Sequence, residues 1–406
     1  MADFARSAHP GVQAQLDRLA MLSPAGDRLG LDRITELLDR LGCPQDSLPP
    51  VFHIAGTNGK GSTVALLRAA LEAAGHAVHT FTSPHLVRFN ERIRVAGRLI
   101  DDEPLAALLT EVIDASDAIE PSFFEVATAA ALLAFARAPA DACILEVGLG
   151  GRLDSTNVVD RPAVTAIASL ALDHQHFLGS TLTAIAAEKA GIAKRGVPLV
   201  SLAQPAEAEA AIAAVAADRG ATLLLEGRDW TVDGDLKPGL AGPHQRRNAG
   251  LAWAMLSAQD MVNVPYSTFV KAIATAQWPA RFQRLRDGPL VGETATWVDG
   301  AHNPAAAAAL ADALAEQGAM HFVLGILANK DAAAIVQALR PRALSFTFVP
   351  VPDHEHHDPD DLARRFGGRS AASLRNALAS LPAPRLIAGS LYLAGEVLAA
   401  NGEIPD

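Results

Sequence analysis

The residues Val51-Phe52-His53-Ile54-Ala55 form a short β-type run that passes without a break into Gly56-Thr57-Asn58-Gly59-Lys60-Gly61-Ser62, and a helical pattern follows from about Ser62 to Ala74. A mostly apolar run, a Gly-rich turn and a helix read as the start of a βα unit. Its strand has to pair in parallel with others and be covered on both faces. The alternation continues downstream, with strands expected over 77–82, 142–147 and 163–170 and a helix over 124–137. A helix near 206–219, a weaker β-type stretch over 222–232 and a helical pattern over 248–256 come next. Trp278-Pro279-Ala280-Arg281 reads as a connector, and beyond it the grammar restarts: strand 296–298, an alanine-rich helix after Pro304, strand 321–324, helix 332–339 and strand 345–349. The expected fold class is therefore α/β. We expect two domains, a phosphate-loop domain with a mainly parallel sheet over 1–279 and a smaller Rossmann-like α/β domain over 280–406. Ahead of the loop, apolar residues from Leu29 to Leu41 share one helical face, so a helix is expected over 28–41.

Half of the 406 residues are hydrophobic, which excludes disorder over most of the length and supplies apolar surface for two cores. The net charge of −11, with no basic run, argues against a nucleic-acid partner and makes anionic substrates depend on local positive sites. The apolar stretch from Val126 to Ala136, closed off by Glu125 and Arg137, falls short of the roughly 18 residues a bilayer needs. No membrane partner is expected. The first residues, Met-Ala-Asp-Phe-Ala-Arg, lack the features of a leader, so the expectation is a cytoplasmic protein, acting as a monomer on small molecules. Cys43 and Cys143 are too few and too far apart for a disulfide framework or a thiolate metal site, and both are expected as buried small hydrophobes.

Between a strand and a helix, a glycine loop can turn its backbone amides toward phosphate oxygens, and Lys60 supplies a point charge. The usual eight-residue phosphate loop has a glycine five positions before Gly59 and a hydroxyl directly after the lysine. Here Ile54 and Gly61 hold those places, and the hydroxyl moves to Ser62. A tight Gly/Asn turn with a surface lysine is the alternative. Glu146 ends the strand Cys143-Ile144-Leu145, so its carboxylate emerges at the carboxyl edge where parallel sheets bind ligands, and His174 follows the next strand. A carboxylate beside phosphate oxygens suits Mg²⁺. Helix capping by Glu146 and a loop role for His174 are the plainer readings.

These residues, taken together, resemble a known family. The stretch from His53 to Thr63 resembles the loop of folylpolyglutamate synthases and dihydrofolate synthases, a branch of the Mur ligase superfamily. So do Ser83-Pro84-His85-Leu86, Phe124-Glu125, the run from Glu146 to Asp154, Asp173-His174, the run from Glu188 to Ile192, and Asp299-Gly300-Ala301-His302-Asn303-Pro304. The matches extend from about Gly30 to Gly389. The resemblance implies an ATP-dependent ligase that joins L-glutamate to dihydropteroate, to folates, or to both, through an acyl phosphate. It implies ATP on Gly56, Thr57, Asn58, Gly59, Lys60, Gly61 and Ser62, with Asn248, Arg281 and Asp299 also on the nucleotide. Two Mg²⁺ positions follow from the same likeness, one held by Ser83 and Glu146 and a second involving His174 and Lys189 as its carbamate. Carbamate formation would turn a cation into an anionic oxygen ligand, whereas an unmodified Lys189 would contact phosphate or lie on the helix surface.

On the acceptor side, the stretch from Thr82 to Arg94 carries three arginines, Arg88 among them, and one histidine, which reads as a local anion trap or as a solvated charged loop. By resemblance this loop closes on the pterin, and Ser122, Phe123, Phe124 and Glu125 with the turn Leu153-Asp154-Ser155 contact the pteroate. Phe123 and Phe124 offer aromatic faces for a flat heterocycle, although aromatics in such a place are usually core. The resemblance also puts His302 near the reaction centre and brings Arg281 onto the phosphates as the domains close, where a cation offsets developing charge. Asn303-Pro304 alternatively reads as a helix start. His354-Glu355-His356-His357-Asp358 reads as a solvated loop, and Gly389-Ser390 matches a family motif in which Leu391 and Tyr392 replace residues often Phe and His. Two other functions fit parts of the pattern. One is a Mur-type ligase of cell-wall precursors, disfavoured by Phe124 and the Ser83 segment, and the other is a nucleotide-switched binding protein.

Overall fold

The computed structural model describes residues 6–22 and 29–406. Residues 1–5, where a leader was sought, and Arg28, at the expected start of the first helix, lie outside the described residues. The chain divides into two compact units. One comprises residues up to Gly239 together with Arg246–Ala276, and the other Leu240–Gln245 together with Gln277–Asp406.

The first unit is built on eight strands: β1 (Val51–Ala55), β2 (Val78–Phe81), β3 (Ile93–Val95), β4 (Arg98–Leu99), β5 (Ala142–Glu146), β6 (Val164–Ile167), β7 (Pro198–Ser201) and β8 (Thr222–Leu225). They lie in the order β4-β3-β2-β5-β1-β6-β7-β8. From β2 to β8 all pairings are parallel, and β3 and β4 add an antiparallel hairpin at one edge. β1, β2, β5 and β6 are buried along their whole length, as expected of parallel strands sandwiched between helices. Helix Phe123–Ala136 packs its apolar length into the core with Phe81, Phe89 and Leu145. Helix Asp32–Arg40 buries Ile34, Leu37 and Leu38 and carries an acid at its first turn and a base at its last, matching its dipole.

β1 sits between β5 and β6, and Ile54 pairs in register with Glu146. The chain leaves β1 for β2 on one side and later returns with β6 on the other. The carboxyl end of β1 is thus the switch point where open parallel sheets bind ligands.

The second unit holds a six-stranded sheet of β9 (Gln283–Arg284), β10 (Thr296–Val298), β11 (Met320–Leu324), β12 (Ala343–Phe348), β13 (Arg369–Ser370) and β14 (Arg385–Ala388), in the order β13-β12-β11-β14-β10-β9. All its pairings are parallel except that of β9 with β10. Phe322, Leu324, Ile335, Val336 and Leu386 are in its core. Both units are α/β with largely parallel sheets, so the expected class holds.

Three of the four sheet edges end in the two-residue strands β4, β13 and β9. At the fourth, β8, Arg228 donates to the Leu223 carbonyl at 3.1 Å and the Trp230 indole to the Leu224 carbonyl at 3.2 Å. Cys143 is buried, as expected. Cys43 is only partly buried, because it caps a short 3₁₀ turn in a left-handed conformation (φ 56°) that turns it from the core.

Candidate active site

The loop after β1 is pinned to the segment after β6. The amides of Thr57 and Asn58 donate to the Ser169 carbonyl at 2.9 and 3.1 Å, and the Thr57 hydroxyl donates to the Ala171 carbonyl at 3.1 Å. Gly59 has φ 90°, and a Cβ there would lie 2.6 Å from Asn248 Oδ1, so this loop position needs the bare residue. Asn248, far away in sequence, therefore lies against the loop. Lys60 starts helix Lys60–Ala73, and Ser62 and Thr63 are buried in its first turn. The Lys60 ammonium folds back onto the carbonyls of Gly56 and Thr57 at 3.1 and 3.3 Å.

Lys189 belongs to helix Leu182–Ala190, but it does not lie on the surface. It is 5% exposed, and its Nζ donates to the Gly56 carbonyl at 2.9 Å. Burial pushes its amine down to about 7, with Lys60 acting the same way and Asp173 and Asp154 opposing. At neutral pH a substantial fraction of this amine is uncharged, the form that can take up CO₂.

Glu146, 4% exposed at the end of β5, accepts the Ser83 amide at 3.4 Å. The two residues expected at one cation are thus brought together. His174 is exposed, in a left-handed conformation after β6, and its amide donates to Asp173 at 2.8 Å. Among the described residues, no three His, Cys, Asp or Glu side chains converge as a self-sufficient metal cage. A buried carboxylate beside a hydroxyl residue and a phosphate loop fits Mg²⁺, which takes only one or two protein carboxylates and draws its other oxygens from phosphates and water.

On the acceptor side, Ser122 and Glu125 form a reciprocal cap at the start of helix Phe123–Ala136. The Glu125 amide donates to the Ser122 hydroxyl at 3.2 Å, the Ser122 amide to Glu125 Oε2 at 2.6 Å, and Arg33 pairs with the same oxygen at 3.1 Å. This occupies most of Glu125 with fold-building contacts, while its Oε1 is buried without a partner among the described residues. Phe123 packs edge-on against Phe89, and Phe124 lies over Gly148, where a Cβ would come within 2.4 Å of its ring. Asp154 is buried and accepts the Leu149 amide at 2.8 Å and the Thr156 amide at 3.0 Å; burial raises its carboxyl and these donors oppose the rise. Ser155 shares a hydrogen bond with Thr128 at 2.8 Å. Leu153 lies partly buried in the same turn.

The expected anion trap is smaller than its residue count. Arg92 is 1% exposed, donates to His85 Nδ1 at 2.8 Å and stacks over Phe89 and Phe123. It is therefore committed to the core, while Arg88 stays at the loop. The sequence reading missed Glu91, whose carboxylate accepts the amides of Leu86, Val87 and Arg88 at 2.7 to 2.9 Å and shapes that loop. It also missed Thr156, whose hydroxyl joins Asp154 to His53. Neither contact has a periodic signature.

In the second unit, Asp299 follows β10 and accepts the amides of Phe282 and Ala301, each at 2.7 Å. Burial raises its carboxyl, opposed first by Arg281. Arg281 lies against Gly300, where a Cβ would meet its Nη1 at 2.7 Å, and is flanked by Ala280 and Phe282 at φ 53° and 45°. Left-handed non-glycine residues on both sides of Arg281 mark a backbone held in place by its surroundings. His302 Nδ1 bonds the Gly300 carbonyl at 2.8 Å, and Asn303 caps helix Pro304–Ala313 through the Ala306 amide at 2.9 Å. Helix capping thus belongs to Asn303, and His302 is oriented by the turn. His356 and His357 bond the carbonyls of His354 and Lys330. Ser390 caps helix Leu391–Asn401.

Comparison with known proteins matches residues 54–218 to the Mur ligase middle domain and 280–387 to the Mur ligase, glutamate ligase domain. The chain is 36% identical over 357 residues to the dihydrofolate synthase/folylpolyglutamate synthase of Bacillus subtilis, covering 80% of this chain and 81% of that one. It is 35% identical to a probable bifunctional folylpolyglutamate synthase/dihydropteroate synthase of Halobacterium salinarum. That match takes in 91% of this chain, which spans about half (49%) of the relative's length. Among solved structures, E. coli FolC in complex with DHPP and ADP is 33% identical with a TM-score of 0.86, covering 97% of each chain. A bifunctional folylpolyglutamate synthase/dihydrofolate synthase with Mn, AMPPNP and L-glutamate bound is 32% identical with a TM-score of 0.85, covering 98% and 99%.

Proposed function

The chain belongs to the folylpolyglutamate synthase and dihydrofolate synthase branch of the Mur ligases, and on that premise we propose that it joins L-glutamate to a pteroate or folate carboxylate at the expense of ATP. The observation that carries the reading is the meeting of Lys60 and Lys189 on Gly56, directly after the strand whose Ile54 is in register with Glu146. It puts two amines and a carboxylate at one sheet edge beside a glycine loop, the equipment of a site for phosphoryl transfer.

A carboxylate is a poor electrophile. In the proposed reaction its oxygen attacks the γ-phosphorus, the bond to ADP breaks, and an acyl phosphate forms. The amine of glutamate then attacks the acyl carbon, phosphate leaves, and the amine gives up its proton. The loop amides from Gly56 to Ser62 hold the phosphates, with Asn248 against the loop. Lys60, turning from the Gly56 carbonyl, offsets charge on the transferring group. Arg281 and Asp299 are assigned to the nucleotide and His302 to the reacting carbonyl, as the family resemblance implies. Bound Mg²⁺, held by Ser83 and Glu146 with a second ion at His174 and carbamylated Lys189, would supply charge neutralisation. Phe124, with Ser122, Phe123, Glu125, Arg88 and the turn 153–155, forms the acceptor side and suits both dihydropteroate and folates. We assign the nucleotide-binding domain to 1–279 and the glutamate-ligase domain to 280–406.

We also infer a cytoplasmic monomer working on small molecules without nucleic-acid or membrane partners. The net charge of −11 argues against a nucleic-acid partner, and among the described residues no helix is long and apolar enough to cross a membrane.

Incubation with ATP, Mg²⁺, L-glutamate and, separately, dihydropteroate or a folate monoglutamate tests the reading. ADP and an amide product should appear only when both organic substrates are present. Absence of amide product with every pteroate and folate acceptor refutes it.

A further inference from the structure

We propose that His53 is a positioning residue for the acceptor side of this site: acting through Thr156 and Asp154, it holds the Gly148–Gly150 loop on which Phe124 rests. The inference builds on the ligase reading above and adds a residue to it.

His53 is fully buried in the middle of β1, and its Nε2 lies 2.8 Å from the Thr156 hydroxyl. That hydroxyl has one proton, and it points 2.5 Å away to Asp154 Oδ1. An ionised carboxylate only accepts, so Thr156 donates to Asp154 and must accept from His53. The tautomer is thereby set with the proton on Nε2. Nδ1 is then a bare acceptor, and it is buried with no partner among the described residues. An imidazole satisfied at only one nitrogen is a poor choice for filling an apolar strand, where Val51, Phe52, Ile54 and Ala55 surround it in sequence. Its presence is explained by what its single N–H does. Burial keeps the ring neutral, lowering it to about 3, so the donor geometry holds across the working pH range.

The relay ends on the acceptor loop. Asp154 Oδ2 takes the Leu149 amide at 2.8 Å, and the Gly148 amide adds to the same carboxylate. Phe124 lies so close to Gly148 that no side chain fits there. A shift of this loop therefore moves the surface beneath the ring. Because His53 stands three residues before Gly56 on the same strand, one element sets both the phosphate loop and the acceptor loop.

The test uses the full-length chain and four proteins: wild type, His53→Leu, Thr156→Val and the double variant. The expected result is a KM for dihydropteroate raised roughly tenfold in each single variant, with the KM for ATP within about twofold, and a double variant no worse than the worse single. His53→Gln, which keeps a side-chain N–H, should restore most of the loss. A merely structural role would lower the unfolding midpoint and leave the two KM values unchanged or moving together, and that overturns the proposal. Thr156→Val, nearly equal in shape, keeps the test open should His53→Leu fold poorly. If the wild type makes no amide, the ligase reading fails by itself. The relay then stands or falls on hydrogen exchange at the Leu149 amide, which should speed up in Thr156→Val.

Discussion

Lys60 and Lys189 donate to one atom, the carbonyl oxygen of Gly56, at 3.1 and 2.9 Å. Two amines sharing one acceptor repel each other, and the buried member yields: Lys60 is the largest charge effect lowering Lys189. The loop lysine thus favours the uncharged form of the other amine, the form that the proposed carbamylation requires. Lys60→Ala should cut the rate of ADP formation by about 10²–10³-fold, in the range for removing one donor to transition-state charge, while the urea midpoint barely moves. It should also raise the Lys189 pKa, so that CO₂ uptake, read by intact mass under bicarbonate, needs a higher pH.

The pH dependence of stability follows from the same amine. Lys189 titrates at 10.5 when exposed and at about 7 in the fold. Between these values the unfolded chain binds the extra proton, so this group makes stability rise with pH from 7 to 10.5, by at most about 1.4 kcal/mol per unit. Its cost is fully present below pH 7 and gone above 10.5. In CO₂-free buffer, Lys189→Met should therefore exceed the wild type in stability most at pH 6, and the gap in urea midpoints should close toward pH 10. A gap independent of pH would contradict the buried, depressed amine.

Gly59→Ala combines a left-handed φ of 90° with a Cβ 2.6 Å from Asn248 Oδ1. The strain alone costs about 1–2 kcal/mol, and the clash displaces Asn248. Nucleotide affinity by calorimetry should fall more than stability does. Gly75→Ala, with a similar φ of 92° and nothing within 4 Å, should lose stability only.

Asp299→Asn leaves one acceptor oxygen for the two amides of Phe282 and Ala301. One buried amide goes unsatisfied, at a cost of about 1–3 kcal/mol, and the left-handed backbone around Arg281 loses its anchor. We expect kcat to fall with the urea midpoint. A variant with wild-type kcat would detach Asp299 from the ordering of Arg281.

Most of the element pattern was legible because strong periodicity and punctuation coincide. The helix over 206–219 and the strand over 296–298 lie where the pattern predicts them, and β1, its loop and the following helix stand out because an apolar run meets glycines. Helix Asp102–Ala115, with Leu105, Leu108, Leu109, Val112 and Ile113 buried at helical spacing, went unread, as did the hairpin of β3 and β4, whose strands of three and two residues are too short to carry a periodic signal. The strand edge pointed to Glu146, and the family resemblance supplied Lys189 and Asp154 as candidate site residues. What they touch was hidden, because the Lys189 contact with Gly56 spans 133 positions and Arg92 reads as charged until its aromatic neighbours are seen.

The sheet borders bear on the protein's behaviour at high concentration. Rows of open carbonyls and amides invite another polypeptide to zip on, the first step toward fibres. Two-residue terminal strands offer too little length, and at β8 the Arg228 and Trp230 side chains occupy the carbonyls of two consecutive residues, one of which faces away from β7. Arg228→Ala together with Trp230→Ala should therefore turn a stock that stays clear into one that scatters light on storage.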